Sequence, residues 1–141
     1  MIWSVISSIL SLAAVVVAVA TFLLDRKRTQ RVETIEELNQ IFSRYYEIRD
    51  LDLDTNYRTF CSFVSYLDRF AYAVNCGVYD KKIVAKRASR LFDQIDKTFM
   101  RSVIKKRREQ YKKVISENEP YYKEIDIMLE AIRKLNIADK R

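Results

Sequence analysis

Four cations stand at Arg101, Lys105, Arg108 and Lys112, spaced so that an unbroken helix carries all of them on one face, with Tyr111 beside them. A cationic face of that kind attracts phosphate-rich anions such as a nucleotide or an oligonucleotide. A flanking tyrosine offers a base a surface to stack on. The surrounding segment is distinctive: residues 81–113 hold 13 Lys and Arg against Asp93, Asp96 and Glu109, more than the whole formal excess of +7. The competing reading is a solvated helix end, since a basic run alone is unspecific. On either reading these are surface positions, so reversing Arg101, Lys105 and Arg108 to Glu is expected to leave the fold nearly intact.

Other chemistry is poorly supplied. The chain has no histidine, which removes the commonest general base, the Ser-His and Cys-His pairings and the most frequent zinc ligand. One glycine cannot build a phosphate-cradling loop. Asp50, Asp52 and Asp54 imitate the opening of a calcium loop, but Thr55 stands where the glycine belongs and Cys61 where the bidentate glutamate belongs. Caps and turns account better for those aspartates. Glu36 and Glu37 are adjacent on a helix and point apart. Cys61 and Cys76 fall about 22 Å apart along one expected helix, beyond disulfide reach, and unpaired thiols fit a reducing compartment. The expectation is no enzyme, no metal and no cofactor.

A second pattern lies near the N-terminus. Ser4, Ser7, Ser11, Ala14, Ala18 and Thr21 follow alternating steps of three and four along one narrow helical face, while Ile6, Ile9, Leu10, Val16, Val17 and Leu24 lie largely elsewhere. Small and hydroxyl residues on one stripe permit close helix–helix approach in lipid, which points to a homo-oligomer. Four or more copies would let the same stripe line a weakly polar pore. The alternative is a monomeric anchor whose hydroxyls bond back to their own helix.

The elements that must position these residues follow from apolar patterning. Ile2 to Leu24 carry no charge, and a helix of that length, about 35 Å, crosses a hydrocarbon core of about 30 Å. Residues 1–24 are therefore expected to be a transmembrane anchor and residues 25–141 a cytoplasmic helical bundle. Arg26, Lys27, Arg28 and Arg31 follow the span, which by the positive-inside rule puts the N-terminus outside and the rest in the cytoplasm. Ala18-Val19-Ala20 has the form of a signal-peptide cleavage site, but no basic n-region precedes it and Thr21 to Leu24 continue the apolar run.

Beyond the anchor, Val32, Ile35, Leu38, Ile41/Phe42, Tyr45 and Ile48 keep a helical period. The Asp50–Asn56 stretch breaks it, with Asp54 or Thr55 as the next N-cap. Phe60, Phe63/Val64, Leu67, Phe70/Ala71 and Val74 mark a second helix closing at Asn75-Cys76-Gly77. Asp80 caps a third, with Ile83/Val84, Ala88, Leu91/Phe92, Ile95 and Phe99 inward, kinked near Met100 and continuing to Tyr111. Pro120 suits the first turn of a last helix lined by Tyr121/Tyr122, Ile125, Met128/Leu129, Ile132 and Leu135. The fold expected is all-α: one N-terminal transmembrane helix running into an up-down bundle of about four cytoplasmic helices. That topology gathers Arg26, Lys27, Arg28, Lys81, Lys82, Lys140 and Arg141 near anionic lipid headgroups, and leaves the Arg101–Lys113 run at the far end.

The segment Leu67-Asp-Arg-Phe-Ala-Tyr-Ala-Val-Asn-Cys-Gly-Val-Tyr-Asp80, with Ile104 and Arg107/Arg108 further on, resembles a motif of an uncharacterised bacterial family. Its members look like small proteins with an N-terminal membrane helix and an all-helical cytoplasmic domain. Asp68 stands where that family's helix usually has Glu. The resemblance implies a fold and a location and no activity. The layout also looks like that of small channel-type effectors of anti-phage systems, which are controlled by a nucleotide or oligonucleotide. The leading expectation is a homo-oligomeric membrane effector with an anionic ligand at the distal basic face. The alternative is a passive anchored adaptor whose bundle docks a protein partner, such as one encoded by a neighbouring gene.

Overall fold

The computed structural model describes residues 1–112 and 122–140, and all regular structure among them is helical. Helix α1 (Ile2–Ile48) is a single unbroken rod of 47 residues. Every residue from Met1 to Thr29 is solvent-exposed, and this first half is long and apolar enough to cross a membrane. A buried core helix of this chain is excluded as the reason for that apolarity, because none of it is covered. The second half is amphipathic, with Thr34, Leu38, Ile41, Tyr45 and Ile48 buried.

Helix α2 (Tyr57–Asn75) returns, α3 (Lys81–Ile95) leaves again, a π-helical turn (Asp96–Met100) joins it to α4 (Arg101–Tyr111), and α5 (Lys123–Ala138) comes back. Contacts fix the directions. Asp80 N–H meets Thr34 at the start of α3, while Phe99 stacks on Tyr45 further along, so α1 and α3 run parallel. Asp126 meets Arg101 and Arg108, and Asn136 shares a cleft with Ser89 and Arg90, so α5 runs antiparallel to them. The result is the up-down bundle that the apolar periods predict.

The turn between α2 and α3 forms as its residues dictate. Gly77 adopts φ +79°, Val78 N–H reaches Ala73 C=O at 2.9 Å and Gly77 N–H reaches Val74 C=O at 3.1 Å. These are the two bonds of a Schellman closure, for which glycine bears least strain. Asp80 then caps α3, its carboxylate accepting from Lys82 N–H at 2.9 Å and Ile83 N–H at 3.3 Å. Two bonds pin this turn to α1: Gln30 Nε2 donates to Gly77 C=O at 2.8 Å, and the fully buried Thr34 takes the Asp80 N–H at 2.9 Å while donating to Gln30 C=O at 2.6 Å.

The cap of α2 falls at Asn56 rather than Asp54 or Thr55. Asp52 claims Thr55 instead, accepting from its N–H at 2.9 Å and its hydroxyl at 2.7 Å, which spends that residue in the turn and delays the helix. The last helix begins at Lys123 with Tyr122 before it in the left-handed region, at φ 61°. Pro120 and Tyr121, expected in its first turn, lie outside the described residues, as do Lys113 and Arg141.

The expected kink near Met100 is the π turn. Without it the inward phase set by Leu91, Phe92 and Ile95 would carry on through Phe99 alone. One extra residue in the turn brings both Phe99 and Met100 into the core, followed by Val103 and Ile104. The Thr98 hydroxyl lies 2.9 Å from Gln94 C=O and 3.2 Å from Ile95 C=O, bonding where the regular ladder opens. Phe99 then sits among Tyr45, Phe60 and Phe63, at centroid distances of 6.3, 4.7 and 5.9 Å.

Candidate functional site

Beyond the π turn, Arg101, Lys105, Arg108 and Lys112 do share one face, and with Ile104 and Glu109 they line an open cleft of about 420 Å³. The helix positions them as their spacing predicts. What the spacing conceals is that two of them are already engaged. Arg101 Nη1 donates to Asp126 Oδ1 at 2.7 Å and its Nε pairs with Asp96 at 2.5 Å. Arg108 Nη2 donates to the other Asp126 oxygen at 3.1 Å. One carboxylate on α5 thus bridges two arginines on α4.

Burial pushes the Asp126 carboxyl up, but the bonds from Arg101 and Arg108 outweigh it and hold it below the usual carboxylate range. The expectation that reversing Arg101 and Arg108 would spare the fold is therefore corrected. Glutamates there would face Asp126 and Asp96, turning attraction into like-charge repulsion across the α4–α5 contact. Lys105 and Lys112 are exposed and have no carboxylate partner among the described residues.

Asp126→Asn is expected to cost about 1 kcal/mol at neutral pH, because the bridge is partly solvated. The pH dependence has a definite sign. A folded carboxyl held below its unfolded value stabilises above the unfolded pKa and loses that contribution as pH falls through the folded one. The gap between the two proteins, measured by urea unfolding, should therefore close below about pH 4. Asp68 works the other way, because burial raises its carboxyl in spite of the bond from Ile125 N–H.

Tyr111 is not an open stacking surface in this arrangement. Arg107 Nη1 donates to its hydroxyl at 3.1 Å, and the guanidinium lies 5.5 Å from the ring centroid. Arg107 belongs to a second cluster that spacing alone does not reveal. Its side chain and Tyr57, Arg58, Cys61, Ser62 and Ser65 line a cleft of about 410 Å³. Lys106 lies over the Tyr57 ring at 4.2 Å. Burial, with the neighbouring Cys61, pushes the Tyr57 hydroxyl up to about 12. The signal was present in the sequence only as a phase: Arg107 lies one turn beyond Val103 and Ile104.

The residues of the Leu67–Asp80 motif are spent on architecture. Asp68 accepts from Ile125 N–H at 3.3 Å, capping α5 from another helix. Asn75 Nδ2 reaches Glu124 C=O at 3.1 Å and its carboxylate at 2.8 Å. Gly77 and Asp80 make the turn described above, and Ile104 is core.

In the apolar half of α1, Ser4 bonds to Met1 C=O at 2.6 Å and Thr21 to Val17 C=O at 2.9 Å. Ser7 and Ser11 make no side-chain bond among the described residues, and Ala14 and Ala18 complete an exposed face. Near the end of the apolar run, Arg26 and Lys27 share a cleft with Gln30, Gly77 and Val78. Lys27 and Arg28 share another with Lys82, but Lys81 lines neither. Of the two thiols, Cys61 is buried and Cys76 exposed, and neither is paired. No group of His, Cys, Asp or Glu among the described residues is placed to hold a metal. Comparison with known proteins finds no matching family model, curated relative or solved structure.

Proposed function

We propose that this chain is a single-pass protein of a bacterial inner membrane, N-terminus outside, whose cytoplasmic bundle acts as a homo-oligomeric effector. The observation that carries this reading is the unbroken helix α1, which joins a wholly exposed apolar half to buried core positions such as Leu38 and Ile41. A rotation of the bundle is then transmitted to the anchor without a hinge. Ser7, Ser11, Ala14 and Ala18 give neighbouring anchors a face for close approach. The distal cleft receives an anionic ligand of the nucleotide or oligonucleotide class, with Lys105 and Lys112 attracting it and Arg101 and Arg108 reached by displacing Asp126.

The Asp126 bridge also favours the second reading, a passive anchored adaptor, since it engages two of the four cations of the basic face. Oligonucleotide binding by the full chain in zwitterionic nanodiscs separates the two. The effector reading expects binding that falls steeply with salt and is abolished by Lys105→Glu with Lys112→Glu. Asp126→Asn, by removing the competitor, should strengthen it by about tenfold. Overexpression should also depolarise the membrane. No binding by either the native chain or Asp126→Asn at low salt gives the adaptor the lead.

A further inference from the structure

The base of the bundle holds a cationic crevice that differs from the flanking collar the sequence points to. It lies between α1 and the start of α3, with a volume of about 600 Å³, and Lys27, Arg28, Arg31, Lys82 and Lys86 all line it with Leu24 at one edge. Arg31 and Lys86 join it because each lies one turn beyond Arg28 and Lys82 on the face that the Thr34–Asp80 bond turns inward. None of these five cations forms an ion pair among the described residues. The carboxylate facing them, Asp80, is engaged in capping α3. Asp25 and Glu33 fall in the neighbouring cleft, with Arg26 and with Lys27, which lines both.

Five exposed cations held together repel one another unless an anion sits among them. Their position selects the anion. Leu24 ends the uncharged run, and one turn or two beyond it is the depth of the headgroup layer, which adds roughly 6 Å to each side of the hydrocarbon. The two bonds from Gln30 and Thr34 pin the start of α3 and the turn before it to α1, so the backbones that carry the two groups of cations are held side by side.

We infer that this crevice is a binding site for an anionic phospholipid headgroup of the cytoplasmic leaflet, and specifically one carrying two phosphates. The cations fall in two groups, three on α1 and two on α3, so each phosphate of such a lipid meets its own group. Arg28 and Arg31 supply the forked donors that suit phosphate oxygens. Leu24 and the apolar run above it accept the acyl chains. The inference rests on the membrane-spanning reading of α1.

The test is native mass spectrometry of the full chain, extracted in mild detergent and offered diphosphatidylglycerol or phosphatidylglycerol at equal total phosphate. Diphosphatidylglycerol should be retained at one per chain and at least tenfold in preference. Arg28→Gln, Arg31→Gln, Lys82→Gln and Lys86→Gln together should abolish that retention. Removing four cations elsewhere, by Arg69→Gln, Lys105→Gln, Lys112→Gln and Arg133→Gln, should leave it intact. Unchanged near-ultraviolet circular dichroism shows that both variants are folded. If the crevice variant loses its fold, the single changes Arg31→Gln and Lys86→Gln are read instead, each lowering retention severalfold.

Equal retention of the two lipids, or equal loss from both sets of changes, reduces the crevice to general charge attraction and overturns the site. A chain that resists carbonate extraction from membranes but retains neither lipid loses the site and keeps the anchor. Release of the native chain by carbonate removes the anchor reading itself.

Discussion

Phe99→Ala should lower the stability of the bundle by about 3–5 kcal/mol, the usual cost of a large cavity in a packed core. The ring is 6% exposed and touches aromatic rings from both α1 and α2, so its removal loosens three helices at once. That cost is a large part of the 5–15 kcal/mol by which a domain is commonly stable. Denaturation of the full chain in micelles, followed by the near-ultraviolet signal of its tyrosines, measures it. Phe22 is 64% exposed, and Phe22→Ala should change the same transition by only about 0.5 kcal/mol. Similar losses from both would mean that the apolar half of α1 packs on the bundle.

The π turn gives the second large effect, and an asymmetric one. Deleting the exposed Thr98 removes the extra residue and lets α3 and α4 join as one regular α-helix. Phe99, Met100, Val103 and Ile104 then stay on the inward phase, and the expected change in stability is within about 1 kcal/mol. Inserting an alanine after Thr98 turns Met100 and Ile104 out of the core and Ser102 into it. Two buried apolar side chains are lost together, at about 2–5 kcal/mol each, and the cooperative transition should disappear. The insertion also carries Arg101 and Arg108 off the face that meets Asp126. A tolerated insertion together with a destructive deletion would reverse the assignment of the extra residue.

Asp126→Asn complements these two, because it leaves the core intact and removes only the bridge between α4 and α5. Its expected stability cost is small and confined to pH above the carboxylate range, whereas the proposed effector role expects a large effect on anion binding. The same residue thus separates a structural role for the basic face from a binding role.

Much of the helical layout was legible along the chain because the interactions that set it are local. The buried residues of α2, Phe60 through Val74, are those picked out by the apolar period, with Cys61 added. Gly77 and Asp80 end one helix and start the next through bonds that span five residues or fewer. The kink near Met100 is likewise local, a shift of the inward phase by one residue between Ile95 and Met100. The cap of α2 falls one or two positions beyond Asp54 and Thr55 because Asp52 engages Thr55 in the preceding turn, and composition does not say which residues that turn will hold.

The candidate site divides along the same line. By itself the sequence determined that Arg101, Lys105, Arg108 and Lys112 share a face and that an apolar helix precedes the bundle, since both depend on helical pitch and residue type alone. Only the tertiary structure decided which cations are engaged. Asp126 lies 25 residues from Arg101 and 18 from Arg108, and Asp68 caps a helix 57 residues away. Only it, too, placed Arg31 and Lys86 with Arg28 and Lys82 around one crevice. Charge is a property of each residue, whereas its neutralisation depends on what the fold brings within a few ångströms. Pairing across helices leaves no period for the sequence to display.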